Sequence, residues 1–205
     1  MRRFMVFVLT MLLMSFTGPV VAGGKKPVPP QSHAFGKTLA EWMRLYWTWC
    51  LTHPAECPTG VEVEAEQIGR VVLLPMPLLD GELDVTLEPG TPFVTPVLVF
   101  IGETHGGEPD DVPLPPEIFT SATVQVILDG HPLIDSSVDD LEKYYFGPVY
   151  FEEPIPLNPE SSAIWVQGLG FGSPPLAVGE HRLTMDVNIE GVFGFFNTWH
   201  IAVQP

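Results

Sequence analysis

Positively charged residues are scarce in this sequence. Nine Lys and Arg residues stand against 25 Asp and Glu residues, which gives a formal net charge of −16 at pH 7. A chain with this charge repels phosphate backbones and anionic lipid surfaces, so nucleic acids and anionic membranes are disfavoured as partners. The acidity alone identifies no partner, because a solvated acidic surface also serves solubility.

Familiar catalytic and nucleotide-binding motifs are missing as well. The sequence contains no Gly-x-Ser-x-Gly, and its glycine-rich run GLGFGSPP, residues 168–175, ends in two prolines that would stop a following helix. A serine triad or a carboxylate pair for glycoside hydrolysis is defined by distances in space, so both stay open. The sequence leaves enzymatic activity undecided and favours a protein without catalysis.

The N-terminus has the pattern of a secretory signal. Arg2 and Arg3 precede an apolar run over residues 4–16, and Gly18-Pro19 with Val-Val-Ala follows it. This run is shorter than the roughly 20 residues that span a membrane. We expect a signal peptide over residues 1–22, a flexible leader over 23–33, and a periplasmic or extracellular chain without a membrane span. An uncleaved anchor is the alternative. Cleavage would change the net charge from −16 to −18, because two arginines and no acids are removed.

Cysteine is limited to Cys50 and Cys57. In an oxidising compartment such a pair is expected to form a disulfide. A loop this short would stabilise the fold by about 2–3 kcal/mol. A metal or redox pair is the alternative, although the spacing matches neither a zinc knuckle nor C-x-x-C.

One helix is predicted, over about residues 38–52, with the sequence TLAEWMRLYWTWCLT. Thr38 and Glu41 fit a capping box at its start, and Pro54 prevents its continuation. At 100° per residue its apolar side chains cover an arc of about 180°, more than one sheet face normally covers. We expect most of this arc to be core, and Trp47 with Leu51 to form an edge that can contact a partner.

From residue 61 onward the sequence has the pattern of short strands separated by turns. ELDVTL alternates apolar and polar residues, as do HRLTMDVNI and TWHIAV near the C-terminus, and Asp129-Gly130 predicts a hairpin. Some eight to ten strands among 23 prolines and 19 glycines indicate a mainly β protein. The expected fold is an antiparallel β-sandwich, Ig-like or jelly-roll-like, forming a single domain over 34–205 with an N-terminal amphipathic helix.

One segment has metal-ligand chemistry, GETHGGEPDD at 102–111. Its candidate ligands are Glu103, His105, Glu108, Asp110 and Asp111. Clustered carboxylates suit calcium, and the histidine would suit zinc. The spacing fits no established calcium loop, so an acidic surface loop without a cofactor is the favoured interpretation.

Four segments together resemble a family of small, exported, uncharacterised bacterial proteins. They are AFGKTLAEWMRLYWTW, with a Gly-x-Ser/Thr-x-x-Glu-Trp start, QIGRVVLLP followed by LEPGTPFVTPVLV, VQVILDGHPL, and LAVGEHRLTM through TWHIAV. The resemblance covers most of residues 34–205 and implies no activity or catalytic residues. The chain departs from the family in its cysteines, which in relatives precede the first strand and the Pro-x-Gly turn.

These observations favour an exported, non-catalytic binding module of the cell envelope or extracellular space, with a glycan or a protein as partner. One alternative is an extracytoplasmic metal-dependent hydrolase that uses the 103–111 loop. The other is a structural or assembly protein with Trp47 and Leu51 in a subunit interface.

Overall fold

The computed structural model describes Pro27 and residues 33–60, 65–106 and 110–205. The predicted signal peptide, most of the predicted leader and Glu108 lie outside these residues. The helices are α1 (Leu39–Thr52) and α2 (Glu117–Thr120), with 3-10 turns at Ala34–Gly36 and Leu141–Tyr144. The strands are β1 (Gln67–Ile68), β2 (Val71–Leu73), β3 (Glu82–Leu87), β4 (Phe93–His105), β5 (Thr123–Leu128), β6 (His131–Asp135), β7 (Tyr145–Pro156), β8 (Ser161–Ser173), β9 (Gly179–Ile189) and β10 (Phe193–Val203).

The strands form two five-stranded sheets that pack face to face. The first sheet has the order β1-β2-β4-β8-β7, and the second has the order β3-β10-β9-β5-β6. The prediction of a mainly β sandwich with one main helix is therefore confirmed. The hairpin predicted at Asp129-Gly130 is also present, since it joins β5 to β6.

Most strand pairs within the described residues are antiparallel, but two are parallel. β3 runs parallel to β10, and β2 runs parallel to β4. The segment between β2 and β4 contains β3, which belongs to the other sheet. This crossing from sheet to sheet supplies the long connection that parallel neighbours need. Alternation within a strand carries no information on its direction, so the sequence predicted no parallel pairs.

The main core fills the space between the sheets. Alternation places Leu83, Val85 and Leu87 of β3 inward, as predicted, and all three are buried. Trp199 of β10 is buried in the same core and donates from Nε1 to the carbonyl of Pro75 at 2.7 Å. The core therefore fixes the chain that follows β2 as well as the two sheets.

Helix α1 packs on the outer face of the first sheet, against β7, β8 and β4, and makes a second apolar core there. Its capping box is formed by Thr38 and Glu41, as predicted. Seven of its residues are buried, namely Leu39, Trp42, Met43, Tyr46, Trp47, Trp49 and Cys50. The wide apolar arc is explained because the helix is buried against the sheet and against neighbouring chain segments.

No helix in the described residues is both long and apolar enough to cross a membrane.

The chain on both sides of α1 completes this cover. Before the helix, the carbonyl of Ala34 accepts a 2.9 Å hydrogen bond from Trp42 Nε1. After the helix, Cys50 and Cys57 form a disulfide with Cα atoms 4.9 Å apart, which is the predicted pairing. Both cysteines are buried, so the 53–57 turn is held against the end of the helix.

Candidate functional site

An apolar cavity of ≈ 140 Å³ lies beside α1, where the two sheets of the sandwich meet. Four parts of the chain form its walls: the end of α1 with Pro58, the segment after β2, the middle of β4, and the start of β10. The lining residues are Trp47, Pro58, Met76, Pro77, Leu79, Pro96, Val97, Leu98, Val99, Phe193, Phe195 and Asn197.

β4 can form a wall of the cavity because it loses its partner strand on one side at this point. β2 pairs with β4 only at Phe93 and Val94, and within the described residues no other strand continues along that edge. The register of β4 on β8 shifts between Pro96 and Leu98. Proline has no N–H for the ladder and suits such an irregularity. The shift gives Val97 no partner on β8, and Val97 lines the cavity.

The wall after β2 is held by hydrogen bonds from both cores. Tyr46 Oη donates to the carbonyl of Leu74 at 2.8 Å, and Trp199 Nε1 donates to the next carbonyl, that of Pro75. Beyond these residues, Thr59 N donates to Met76 O at 2.9 Å, and Leu78 N donates to Thr59 O at 3.1 Å. The backbone of this wall is therefore fixed by α1, by β10 and by the chain after the disulfide.

The β10 wall is aromatic, with one amide. The rings of Phe193 and Phe195 lie 5.6 Å apart, centroid to centroid. Asn197 is 3% exposed, and its Oδ1 accepts a 3.3 Å hydrogen bond from Gly81 N. Asn197 therefore brings a side-chain amide to a mostly apolar lining, and such a group can orient a ligand.

Trp47 is the cavity residue supplied by the helix. It is 8% exposed, and its Nε1 is buried with no hydrogen-bond partner in the described residues. By contrast, the indole N–H groups of Trp42, Trp165 and Trp199 all donate to backbone carbonyls. Buried polar atoms are normally paired, so an unpaired donor of this kind calls for an explanation.

The predicted contact edge of Trp47 and Leu51 is divided in the structure. Trp47 lines the cavity, whereas Leu51 is partly exposed at the end of α1 and lies outside the lining. Phe193, Phe195 and Asn197 were not predicted as site residues from the sequence. The segment IEGVFGFF, residues 189–196, nevertheless contains a sign of exposed apolar surface. In a half-buried hairpin the outward positions are normally polar, whereas Val192 and Phe196 are apolar and exposed.

The predicted metal loop is brought together in part. His105 Nε2 and Asp111 Oδ1 lie 3.9 Å apart, while Asp111 Oδ2 accepts from Glu103 N at 3.0 Å. Asp110 is exposed, and Glu108 lies outside the described residues. Across the described ranges no group of three His, Cys, Asp or Glu residues is placed to hold a metal ion. In this structure Asp111 fastens the loop to β4, and metal binding here stays a prediction.

A second, more open depression lies next to this loop. It is lined by Thr104, His105, Gly106, Asn158, Pro159, Glu160, Ser161 and Ser162. Its main polar side chain is already engaged, since Asn158 Nδ2 donates to Ser161 Oγ at 2.7 Å and Asn158 Oδ1 accepts from two backbone N–H groups. These local bonds explain the turn between β7 and β8 without a ligand.

Histidine–carboxylate pairs are the candidates for general base catalysis in the described residues. His181 Nδ1 lies 2.7 Å from Asp129 Oδ2, but its Nε2 lies 2.9 Å from the carbonyl of Ala177. Burial lowers the pKa of His181, yet the hydrogen bonds with Asp129 and Ala177 outweigh this effect and raise the pKa above its ordinary value. With both ring nitrogens engaged, His181 holds β9 against the β5–β6 turn and cannot activate a nucleophile.

Two other histidines give no catalytic arrangement. His200 Nε2 lies 3.2 Å from Glu82 Oε2 on the neighbouring strand, and His53 Nδ1 lies 3.0 Å from Thr52 Oγ1. Within the described residues, no histidine is hydrogen-bonded to both a carboxylate and a hydroxyl or thiol group, which a triad requires.

Comparison of the chain with protein-family models, with curated proteins and with solved structures found no match.

Proposed function

We propose that this protein is an exported, non-catalytic binding module whose partner places an apolar group in the cavity beside Trp47. The observation that carries the proposal is the cavity itself: it is apolar, partly open, and lined by Trp47 of α1 and by Phe193 and Phe195 of β10. The exported location and the resemblance to the family of exported bacterial proteins are part of this proposal.

The size of the cavity determines what it can hold. An apolar protein cavity of about 150 Å³ accommodates one benzene molecule. At ≈ 140 Å³, the cavity beside Trp47 matches a single aromatic ring or a branched aliphatic side chain. Larger ligands would bind with one apolar group inside and the remainder at the mouth. Filling the cavity with such a group contributes about 1.5–3 kcal/mol from burial of apolar surface.

The lining favours an apolar group over a sugar. A buried sugar ring has several hydroxyl groups, each of which costs free energy unless it is hydrogen-bonded. Asn197 is the one lining residue with a polar side chain other than the indole of Trp47. Of the two partner classes expected from the sequence, glycan and protein, a protein therefore fits this site better.

The absence of catalysis is supported by the histidine geometry. The His181 nitrogens are both engaged, and the remaining histidines of the described chain lack one or other member of a triad. The cavity also contains no ionisable side chain. General acid–base chemistry needs such a group within hydrogen-bond reach of the substrate, so the cavity suits binding.

The test is a toluene titration of the mature, oxidised protein, followed by the NMR signals of the indole N–H groups and of the Asn side-chain amides. Trp47→Phe identifies the Trp47 signal by its loss. We expect toluene to shift the Trp47 and Asn197 signals in a saturable manner, and cell-envelope glycans to leave them unchanged. If neither signal moves at saturating toluene, or if a glycan moves both, the proposal is wrong.

A matched pair of variants separates the cavity from the rest of the surface. Leu79 lines the cavity and is 62% exposed, whereas Leu157 is 36% exposed at the turn between β7 and β8. Leu79→Ser should weaken toluene binding several-fold, because one wall loses apolar contact. Leu157→Ser should leave the affinity unchanged. Equal effects of the two substitutions would contradict the assignment of the site.

A further inference from the structure

We infer that the partner is a protein segment that places one aromatic or branched aliphatic side chain in the cavity and carries Lys or Arg beside it. This inference rests on the proposed function, and it names the chemical class of the partner. Three observations lead to it: apolar surface beyond the cavity, an unpaired length of β4, and the charge around the cavity mouth.

The first observation is that apolar surface continues outside the cavity. Leu79 and Phe193 line the cavity and are 62% and 38% exposed. Leu78, at 52%, and Val192, at 71%, adjoin them in the chain. These four residues are called the apolar rim. A ring-sized molecule would fill the cavity and leave the rim in water, whereas a protein segment would cover both. A buried anchor surrounded by apolar contacts is the usual arrangement at protein interfaces.

The second observation concerns the backbone of β4. Between Pro96 and Gly102, β4 pairs with β8 on one side, and on the other side it has no strand partner in the described residues. Val97 and Leu98 of this stretch are buried where they line the cavity, and residues 99–101 are partly exposed. An unpaired strand edge offers N–H and C=O groups to an extended peptide. A protein segment can use these groups, and a small apolar molecule cannot.

The third observation is the charge at the mouth. The two chain segments that form the rim, 76–81 and 189–197, contain Asp80 and Glu190 and no Lys or Arg. Asp80 and Glu190 are both exposed. The rim segments are therefore negatively charged, as is the whole chain, whose formal net charge is −16. Basic residues beside the anchor would be attracted to this mouth and acidic ones repelled.

The same charges argue against a second copy of this chain as the occupant. A symmetric contact through the rim would bring Asp80 and Glu190 of one copy close to those of the other. Like charges at an interface raise its free energy, and no Lys or Arg in the rim segments offsets them. The expected occupant is therefore a different, basic protein segment.

The experiment uses three synthetic peptides on the mature, oxidised protein, measured by calorimetry. They are Ser-Lys-Phe-Lys-Ser, its counterpart with Glu in place of Lys, and its counterpart with Ser in place of Phe, all with blocked ends. We expect the Lys-Phe-Lys peptide to bind about tenfold more tightly than the Glu-Phe-Glu peptide at low salt. The ratio should fall towards one when sodium chloride is raised from about 20 mM to about 500 mM. The peptide without Phe should not bind.

Matched protein variants locate the charge effect. In Asp80→Asn/Glu190→Gln the preference for the Lys peptide should largely disappear. Asn keeps an acceptor for Phe196 N, which donates to Asp80 Oδ1 at 2.8 Å, and it tolerates the positive φ of 57° at this position. The control Asp110→Asn/Glu153→Gln makes the same chemical changes at exposed residues outside the rim segments. It should keep the full preference.

The outcomes separate this inference from the proposed function. If toluene binds but the Lys and Glu peptides bind equally or not at all, the basic partner is wrong and the binding site remains. If toluene also fails, the proposed function is wrong with it. Binding of the protein to zwitterionic lipid vesicles, with no binding of either peptide, would assign the rim to a lipid surface and overturn the inference.

Discussion

Tyr46 Oη donates a 2.8 Å hydrogen bond to the carbonyl of Leu74, and this bond joins the core under α1 to the chain that forms one wall of the cavity. Both residues are fully buried. Burial raises the pKa of the Tyr46 phenol well above its ordinary value, so the phenol stays protonated and remains a donor. The position of the wall thus depends on a residue of the aromatic helix, outside the cavity.

Tyr46→Phe should lower the free energy of unfolding by about 1–3 kcal/mol. The substitution preserves the ring and leaves the buried Leu74 carbonyl without its donor, and an unsatisfied buried acceptor costs that much. Urea unfolding followed by tryptophan fluorescence measures the change. A loss below about 0.5 kcal/mol would show that the carbonyl finds another donor.

The unpaired indole of Trp47 predicts an unequal response to two Trp-to-Phe substitutions. Trp199→Phe removes the donor of a 2.7 Å bond to the Pro75 carbonyl in the main core, so we expect a loss of at least about 2 kcal/mol. Trp47→Phe removes an N–H that has no acceptor in the described residues, so the loss should be about 1 kcal/mol or less. Urea unfolding of both variants checks the order. The reverse order would mean that the Trp47 indole has a partner.

His181 predicts a change of stability with pH. Its pKa is raised in the folded state, while the unfolded chain should have a pKa of about 6.5. The folded state therefore binds the proton more tightly, and this contribution to stability is complete below about pH 6.5. It is lost as pH rises through the higher folded-state pKa. Free energies of unfolding measured from pH 5.5 to pH 8.5 should include this decline.

Asp129→Asn isolates the contribution of this pair. Asn can still accept from Arg182 N, as Asp129 Oδ1 does at 2.8 Å, and it tolerates the positive φ of 51° at this turn. The charge that favours the His181 imidazolium is removed, so the decline across this pH range should become shallower than in the native protein. Identical slopes for the two proteins would contradict the role of the pair.

Gly102 predicts a steric effect next to β8. A Cβ at this position would lie 1.9 Å from Trp165 Cε2, and the Trp165 ring cannot move without losing its 3.1 Å bond to the Asp111 carbonyl. Gly102→Ala should destabilise the protein by about 1–3 kcal/mol. Gly106→Ala is the matched control, because a Cβ there meets no atom of the described residues within 4 Å. Thermal melts compare the two, and equal melting temperatures would contradict the packing.

The sequence predicted local structure well where one physical rule decides it. The capping box of Thr38 and Glu41, the turn at Asp129-Gly130 and the alternation in β3 depend on neighbours within a few residues, and all three are present. The pairing of Cys50 with Cys57 was likewise expected, because these are the only two cysteines in the chain.

The candidate site could be predicted only in part, because its walls come from four distant segments. Trp47 stood out through the width of the apolar arc on α1. No sequence pattern indicated Asn197 or Val97. Asn197 lines the site because of how β10 packs, and Val97 lines it because of a register shift in β4. Both depend on which strands become neighbours, and alternation does not report that. The parallel placement of β3 beside β10 was missed for the same reason.

Nuclear Overhauser contacts between bound toluene and the protein, measured by NMR, test directly whether the cavity beside Trp47 is the binding site. We expect contacts from the toluene ring to the methyl groups of Met76, Val97 and Leu98, which belong to two different walls of the cavity. Toluene that binds with contacts elsewhere, or shows none of these at saturation, would contradict the claim that this cavity is the binding site.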